Sequence, residues 1–287
     1  MNAENKTLVS PLRYPGGKAF LAPFVAEILA LNELRPEILV EPFAGGASVS
    51  LHLLGLDRVD SIALYDLDPL VSGFWWTVFN RRALLIDKLD REPVTIDQWR
   101  TIKDQKINGH CTNAWKCLFL NRTSFSGILN SSSGPIGGQK QKSAYALDCR
   151  FYKDTIASRI EELWEMRHRV YDIGTQSYSK TLRDYEAERN FASCFYLDPP
   201  FFHKAEKLYN FYFKSDEHSS FLEEVRDLQK PWVLSYDYCS EAVTLLRRLG
   251  LRYRIVPVNY TAANSTSPNP KKELVSSNLD LPRIKKS

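Results

Sequence analysis

Apolar residues in this chain come in short continuous runs, separated by longer stretches in which they recur every three or four positions. Residues 37–41 (Glu-Ile-Leu-Val-Glu), 61–65 and 195–197 are runs of the first kind and read as buried strands, with 232–235 and 252–258 as further strands. Residues 216–229 place Phe221, Leu222, Val225 and Leu228 on one helical face, and residues 241–248 form a second helical segment before Gly250. Residues 48–54 have helical character and stop at Gly55. Strands alternating with helices predict an α/β fold with a doubly wound, mostly parallel sheet covered on both faces.

Residues 73–169 have a different texture. They carry Trp75, Trp76, Trp99, Trp115 and Trp164 in several helical patterns. One polar stretch, residues 130–143, has almost no apolar anchor and predicts a mobile loop. The expected organisation is a sheet domain in two parts, 1–72 and 170–287, with a mainly helical domain inserted at 73–169. There is no internal repeat.

Composition narrows the class. A hydrophobic fraction of 44% and a charged fraction of 25% belong to a globular protein. No apolar stretch approaches the roughly 20 residues that span a bilayer, and residues 1–10 lack an apolar export signal, so a cytoplasmic protein is expected. Cys111, Cys117, Cys149, Cys194 and Cys239 have no metal-like pairing, and no metal is expected. The net charge of +4 permits a polyanionic partner without requiring one.

Four segments carry the candidate chemistry. Glu41-Pro42-Phe43-Ala44-Gly45-Gly46 follows a strand and opens a helix, so a ligand can approach its backbone closely and meet free helix N–H groups. It reads equally as a plain glycine-rich turn. Asp66 ends the next strand, where an acid is placed to accept ribose hydroxyls, although Asp68-Pro69 beside it is the better helix cap. Leu12-Arg13-Tyr14-Pro15-Gly16-Gly17-Lys18 presents a cation at a turn, suited to a carboxylate or a phosphate, or simply to solvent. Asp198-Pro199-Pro200-Phe201 ends the third strand and joins one carboxylate, two rigid residues and a ring, a kit for gripping a flat polar group such as a nucleobase amine.

In this order the segments resemble the Dam-type (D12 class) DNA adenine-N6 methyltransferases. The resemblance extends to residues 121–127 (Asn-Arg-Thr-Ser-Phe-Ser-Gly) and 271–278, and so covers nearly the whole chain. It implies a Rossmann-like fold that uses S-adenosylmethionine, contacted by Tyr14, Lys18, Glu41, Pro42, Phe43, Ala44, Gly45, Asp66 and Asp198. It also implies that Asp198, Pro199, Pro200 and Phe201 act on a base flipped out of double-stranded DNA, with Phe201 stacking on it. The insertion would recognise the DNA target. Arg122, Lys140 and Lys142 are the expected phosphate contacts, with Arg81, Arg82, Lys271 and Lys272 as further candidates, and a monomer is expected. The chain departs from the family pattern at Ala47, where a third glycine is frequent, at Ser126, where Asn is usual, and at Phe201, where Tyr is more frequent. The last departure leaves room for a cytosine-N4 methyltransferase. A catalytically silent DNA-binding module and a methyltransferase for protein or small molecules are the other readings.

Overall fold

The computed structural model of the protein describes residues 6–258 and 271–284. Its centre is one seven-stranded sheet in the order β3-β2-β1-β4-β5-β7-β6. The strands are β1 (Ile38–Glu41), β2 (Ser61–Asp66), β3 (Val170–Thr175), β4 (Ser193–Leu197), β5 (Trp232–Asp237), β6 (Tyr253–Val258) and β7 (Lys271–Ser277). β1 to β5 pair in parallel, whereas β7 runs antiparallel between β5 and β6.

Every residue of β1 and of β4 is buried. Alternate residues feed two cores, as the strand period of two dictates. Leu39, Ile62, Leu64, Cys194, Tyr196 and Val233 face one core, which also holds residues of α1 (Ala22–Leu31), α2 (Ser48–Gly55) and α3 (Pro69–Arg91). Ile38, Val40, Ala63, Phe195, Leu197 and Leu234 face the other.

Between β2 and β3 the chain forms α3, α4 (Ile96–Asp104), α5 (His110–Thr123) and α6 (Lys153–Glu165). Asp68 caps α3 by accepting from the Leu70 N–H at 2.9 Å, with Pro69 as the first helical residue. The tryptophans Trp75, Trp99 and Trp115 join the core beneath the sheet's first face, so these helices share that core with the strands. Beyond β3, α7 (Tyr178–Ala187), α8 (Ala205–Leu208), α9 (Ser215–Arg226) and α10 (Ser240–Arg248) follow. α7, α9 and α10 supply Leu182, Phe221, Val225 and Leu246 to the second core.

The stretch 130–143, expected as a free loop, is instead tied down by polar contacts. The Phe125 N–H donates to Gly134 O and the Ile136 N–H to Thr123 O. Lys103 Nζ reaches Asn130 O at 2.6 Å, and Asn130 Nδ2 reaches Lys207 O at 2.8 Å. Backbone and amide groups supply the anchors that apolar side chains do not. Among the described residues, no helix is long and apolar enough to cross a membrane.

Candidate active site

The order of connection reverses between β1, which leads outward to β2, and its parallel neighbour β4, which leads outward to β5 on the other side. Strands that part in this way leave a crevice beyond their carboxyl ends, where open α/β sheets take ligands. Glu41, Asp66 and Asp198 stand at that edge, at the ends of β1, β2 and β4. A cavity of about 470 Å³ opens there, within the roughly 300–1,000 Å³ of small-molecule sites.

The N-terminal turn forms one wall. Its backbone is clamped by Asn121, whose Oδ1 accepts the Arg13 N–H at 2.7 Å while its Nδ2 donates to Arg13 O at 3.2 Å and Gly127 O at 3.0 Å. Gly16 has φ +77°, and a Cβ there would lie 2.7 Å from Phe201 Cζ. Gly45 has φ +43°, and its Cβ would lie 2.7 Å from the Tyr14 ring. The close approach that this glycine permits is therefore that of Tyr14, and Trp75 Nε1 supports the same turn by donating to Gly45 O at 2.9 Å. Tyr14 in turn stacks on Tyr209 with ring centroids 5.9 Å apart.

Lys18 is buried at 3% exposure and faces carboxylates, not solvent or phosphate. Its ammonium lies 3.1 Å from Asp198 Oδ1 and 3.8 Å from Glu273 Oε1, and it donates to Gly16 O at 3.2 Å. Burial opposes its charge, but Asp198, Glu273 and Asp237 outweigh that and raise its pKa above the lysine value. Burial also raises the Asp198 carboxyl, with Lys18 and Ser235 pulling the other way. Asp66 accepts the Gly45 and Asp68 N–H groups, both at 2.9 Å, yet burial and then the nearby Asp68 push its pKa up to about 7. Glu41 accepts from Ser50 Oγ and is raised well above the carboxylate range, chiefly by burial.

The cavity brings together Tyr14, Lys18, Glu41, Pro42, Phe43, Ala44, Gly45, Asp66, Asp198, Pro199 and Pro200. Phe201 is not among its walls. The ring is taken up by the N-terminal turn, with Cζ against Gly16, Lys18 Nζ 4.9 Å from its centroid and Tyr209 edge-on at 6.0 Å. The ring is part-exposed and packs on Gly16, Lys18 and Tyr209, residues that themselves line the cavity. The run Tyr209-Asn210-Phe211-Tyr212-Phe213 also lines the cavity, with Asn210 Nδ2 held by Asp68 Oδ2 at 2.7 Å. Its aromatic density was visible in the sequence, but nothing local tied it to the motifs.

Arg122 also departs from expectation. At 5% exposure its guanidinium donates to Pro11 O and Arg150 O, so it fastens the N-terminal segment to α5 and cannot reach a phosphate. Arg82 is engaged with Glu161 at 2.5 Å, whereas Lys140 and Lys142 are exposed. Lys272 Nζ lies 5.6 Å from the centre of the Tyr238 ring, and the Lys271 side chain lies outside the described residues.

Two of the departures from the family pattern share a cause for concern, since Ala47 has φ +48° and Ser126 φ +55°. Glycine and asparagine enter this left-handed region more easily than alanine and serine. Ser126 is exposed, so Ser126→Asn meets no packing cost and is expected to raise stability by about 0.5–1 kcal/mol, read as a higher Tm. A lower Tm would contradict the strain.

Comparison with known proteins identifies the family. The model of the family described as D12 class N6 adenine-specific DNA methyltransferase matches residues 14–263. No curated protein matches the chain. Among solved structures, it is similar to precorrin-6y C5,15-methyltransferase from Geobacter metallireducens GS-15, at 11% identity over 88% of this chain and 85% of that one, with a TM-score of 0.37. It is also similar to the methyltransferase domain of bacterial CtHen1-CN, at 9% identity over 90% and 99%, with a TM-score of 0.40. The match over residues 14–263 places the chain in the D12 class of N6 adenine-specific DNA methyltransferases, with S-adenosylmethionine as its methyl donor and DNA as its substrate.

Proposed function

We propose that the cavity binds S-adenosylmethionine at the β1 and β2 ends and takes a flipped adenine beside Asp198, at a specific site in double-stranded DNA. The carrying observation is that Asp66 and Asp198 line one cavity from two strand ends, together with an aromatic run. The residues fit the cofactor. Each Asp66 oxygen accepts one backbone N–H and keeps a lone pair for a ribose hydroxyl. Asp66, Asp198 and Glu217 face the cavity with Lys18 as the one basic side chain in its lining, an acidic surplus suited to a cationic ligand, while burial holds Glu41 toward its neutral form. When bound, the cofactor supplies a methyl group on a sulfonium, which already has a good leaving group.

The obstacle is the amine, whose lone pair is conjugated with the ring. Asp198 accepts one amine N–H and the Pro199 carbonyl accepts the other, which draws the nitrogen toward tetrahedral geometry. The fixed φ of both prolines keeps that carbonyl in place. Most of the rate then comes from positioning and electrostatics. Asp198 also stands where the nitrogen's surplus proton can leave.

Reaching the amine requires extrusion of the base, costing a few kcal/mol. Stacking on an aromatic wall returns about 1–3 kcal/mol, and Tyr209 to Phe213 offer that wall. Phosphate contacts supply the remaining affinity, and segment 73–169 with its exposed Lys140 and Lys142 serves as the target-recognition region. The free state of all five cysteines supports a reducing, cytoplasmic setting. Duplexes carrying 2-aminopurine at the target position test the extrusion. Fluorescence should rise on binding, and unchanged fluorescence in a productive complex would contradict it.

The phosphate assignment has its own check. Replacing Lys140 and Lys142 together with alanine should reduce the slope of log K against log salt by about 2, near 0.9 per contact. Arg122→Ala should leave that slope alone and lower stability by about 2–3 kcal/mol, because it strands buried carbonyls. A changed slope in Arg122→Ala would reverse the correction.

Asp66 predicts a pH dependence. Its folded pKa, about 7, lies above the ordinary aspartate value, so its contribution to apo-protein stability is present in acid and lost as pH rises toward neutrality. Cofactor binding has the opposite sign, because only the ionised carboxylate accepts freely from both hydroxyls. Affinity for S-adenosylmethionine should weaken below neutrality with proton release on binding, measured by calorimetry in buffers of different ionisation enthalpy. An affinity independent of pH would count against Asp66 as the ribose partner.

A further inference from the structure

The donors that reach Asp198 from the protein converge on one oxygen. Lys18 Nζ lies 3.1 Å from Oδ1, and Ser235 Oγ donates to the same Oδ1 at 2.8 Å. Ser235 Oγ is also 2.8 Å from the Tyr196 hydroxyl. A serine hydroxyl has one proton, and an ionised carboxylate can only accept, so Tyr196 must be the donor to Ser235. The chain runs from Tyr196 on β4 to Ser235 on β5 to Asp198 Oδ1. Ser235 and Tyr196 are each 1% exposed, while the Asp198 side chain is 21% exposed and lines the cavity.

We propose that Ser235 is a positioning residue: oriented by Tyr196, it pins Asp198 Oδ1 and leaves Oδ2 to accept the N–H of the target amine. This rests on the reading of Asp198 as the amine's acceptor. A carboxylate turns easily about its last torsion, so a single anchor leaves its free oxygen loosely placed. Two donors on one oxygen, coming from the N-terminal turn and from β5, define that torsion. The amine then meets a fixed acceptor, and misplacement by about 1 Å can cost roughly 10²-fold in rate.

The other charged and titratable groups around Asp198 do not duplicate this anchor. Glu41 on β1 is an acid facing it, and Glu273 on β7 acts on it through Lys18. Tyr209 and Tyr236 stand further along its surroundings. Ser235 is thus the neutral donor that stabilises the carboxylate's charge, alongside Lys18.

The test is single-turnover methyl transfer to DNA across pH, with S-adenosylmethionine affinity measured on the same full-length proteins. Ser235→Ala should bind the cofactor as the parent does but transfer roughly tenfold to hundredfold more slowly, the cost of one hydrogen bond to a charged group. Its acid limb should move to higher pH, because the carboxylate has lost a donor that favoured ionisation. Ser235→Thr, which keeps the hydroxyl, should restore both. Tyr196→Phe should shift rate and limb the same way by less, and it carries the test if Ser235→Ala does not fold. An acid limb unmoved in these variants overturns the proposal, whether the rate is parental or merely reduced. Asp198→Ala run alongside separates the two ideas: if it keeps activity, the reading of Asp198 fails, and if it alone is inactive, only the role of Ser235 fails.

Discussion

Asp198→Ala is expected to lower methyl transfer to DNA by about 10³-fold or more while DNA binding persists. Removing one preorganised polar group that acts on developing charge typically costs 10²–10³-fold, roughly 3–4 kcal/mol. Here the same carboxylate is also the amine's acceptor and the partner of Lys18, so the loss should reach the upper end or exceed it. The substitution also removes the nearest carboxylate from a buried ammonium, leaving Glu273 at 3.8 Å, and the Tm should fall. Asp198→Asn separates these effects. It keeps the shape and an acceptor oxygen for Lys18, so it should retain most of the stability and still lose most of the rate. Near-parental transfer by Asp198→Asn would mean that charge on this residue is dispensable.

Lys18→Met should have the next largest effect, and it should depend on pH. Breaking a buried ion pair by removing one partner costs about 3–5 kcal/mol, because the other charge is left uncompensated. The methionine would sit among Asp198, Glu273 and Asp237. Asp198, already raised by burial, loses its largest lowering influence and rises further. Carboxyls whose folded pKa lies above the unfolded value favour folding in acid and lose that contribution as pH rises through the folded value. The variant's Tm should therefore fall relative to the parent as pH increases from acid to neutral. Transfer at neutral pH should drop and recover partly in alkaline solution, where Asp198 ionises. Parallel Tm curves for parent and variant would contradict this account of Lys18.

The parts of the fold legible in the sequence are those where one local pattern suffices. β1 and β4 are buried on both faces and appear as unbroken apolar runs. β3 was missed because it is an edge strand with no fully buried residue, so its sequence Val-Tyr-Asp-Ile-Gly-Thr shows no apolar run. β7 was missed for a different reason. Ser276 and Ser277 are buried there, and their hydroxyls are satisfied by Arg252 O and Trp232 O, partners found only after folding.

The site divides in the same way. Asp66 and Asp198 could be found because each ends a strand, and a strand end determines where its next side chain goes. The role of Arg122 could not, since its carbonyl partners Pro11 and Arg150 are distant in sequence. Phe201 shows how much depends on a distant turn. It follows the cavity-lining Pro199 and Pro200, and the left-handed turn at Gly16 makes room for its ring beside Lys18 and Tyr209, contacts that no local pattern announces. Ser235 and the run from Tyr209 to Phe213 enter the site only through the sheet order and the loop after β4.

The central claim is that Asp198, at the end of β4, presents an adenine amine in DNA for methylation. Nucleoside mass spectrometry of duplex DNA incubated with S-adenosylmethionine and the protein tests it most directly, with Asp198→Ala in parallel. The account predicts N6-methyladenine with the parent and none above background with the variant. Methylation on cytosine N4, or equal N6-methyladenine from both proteins, would contradict it.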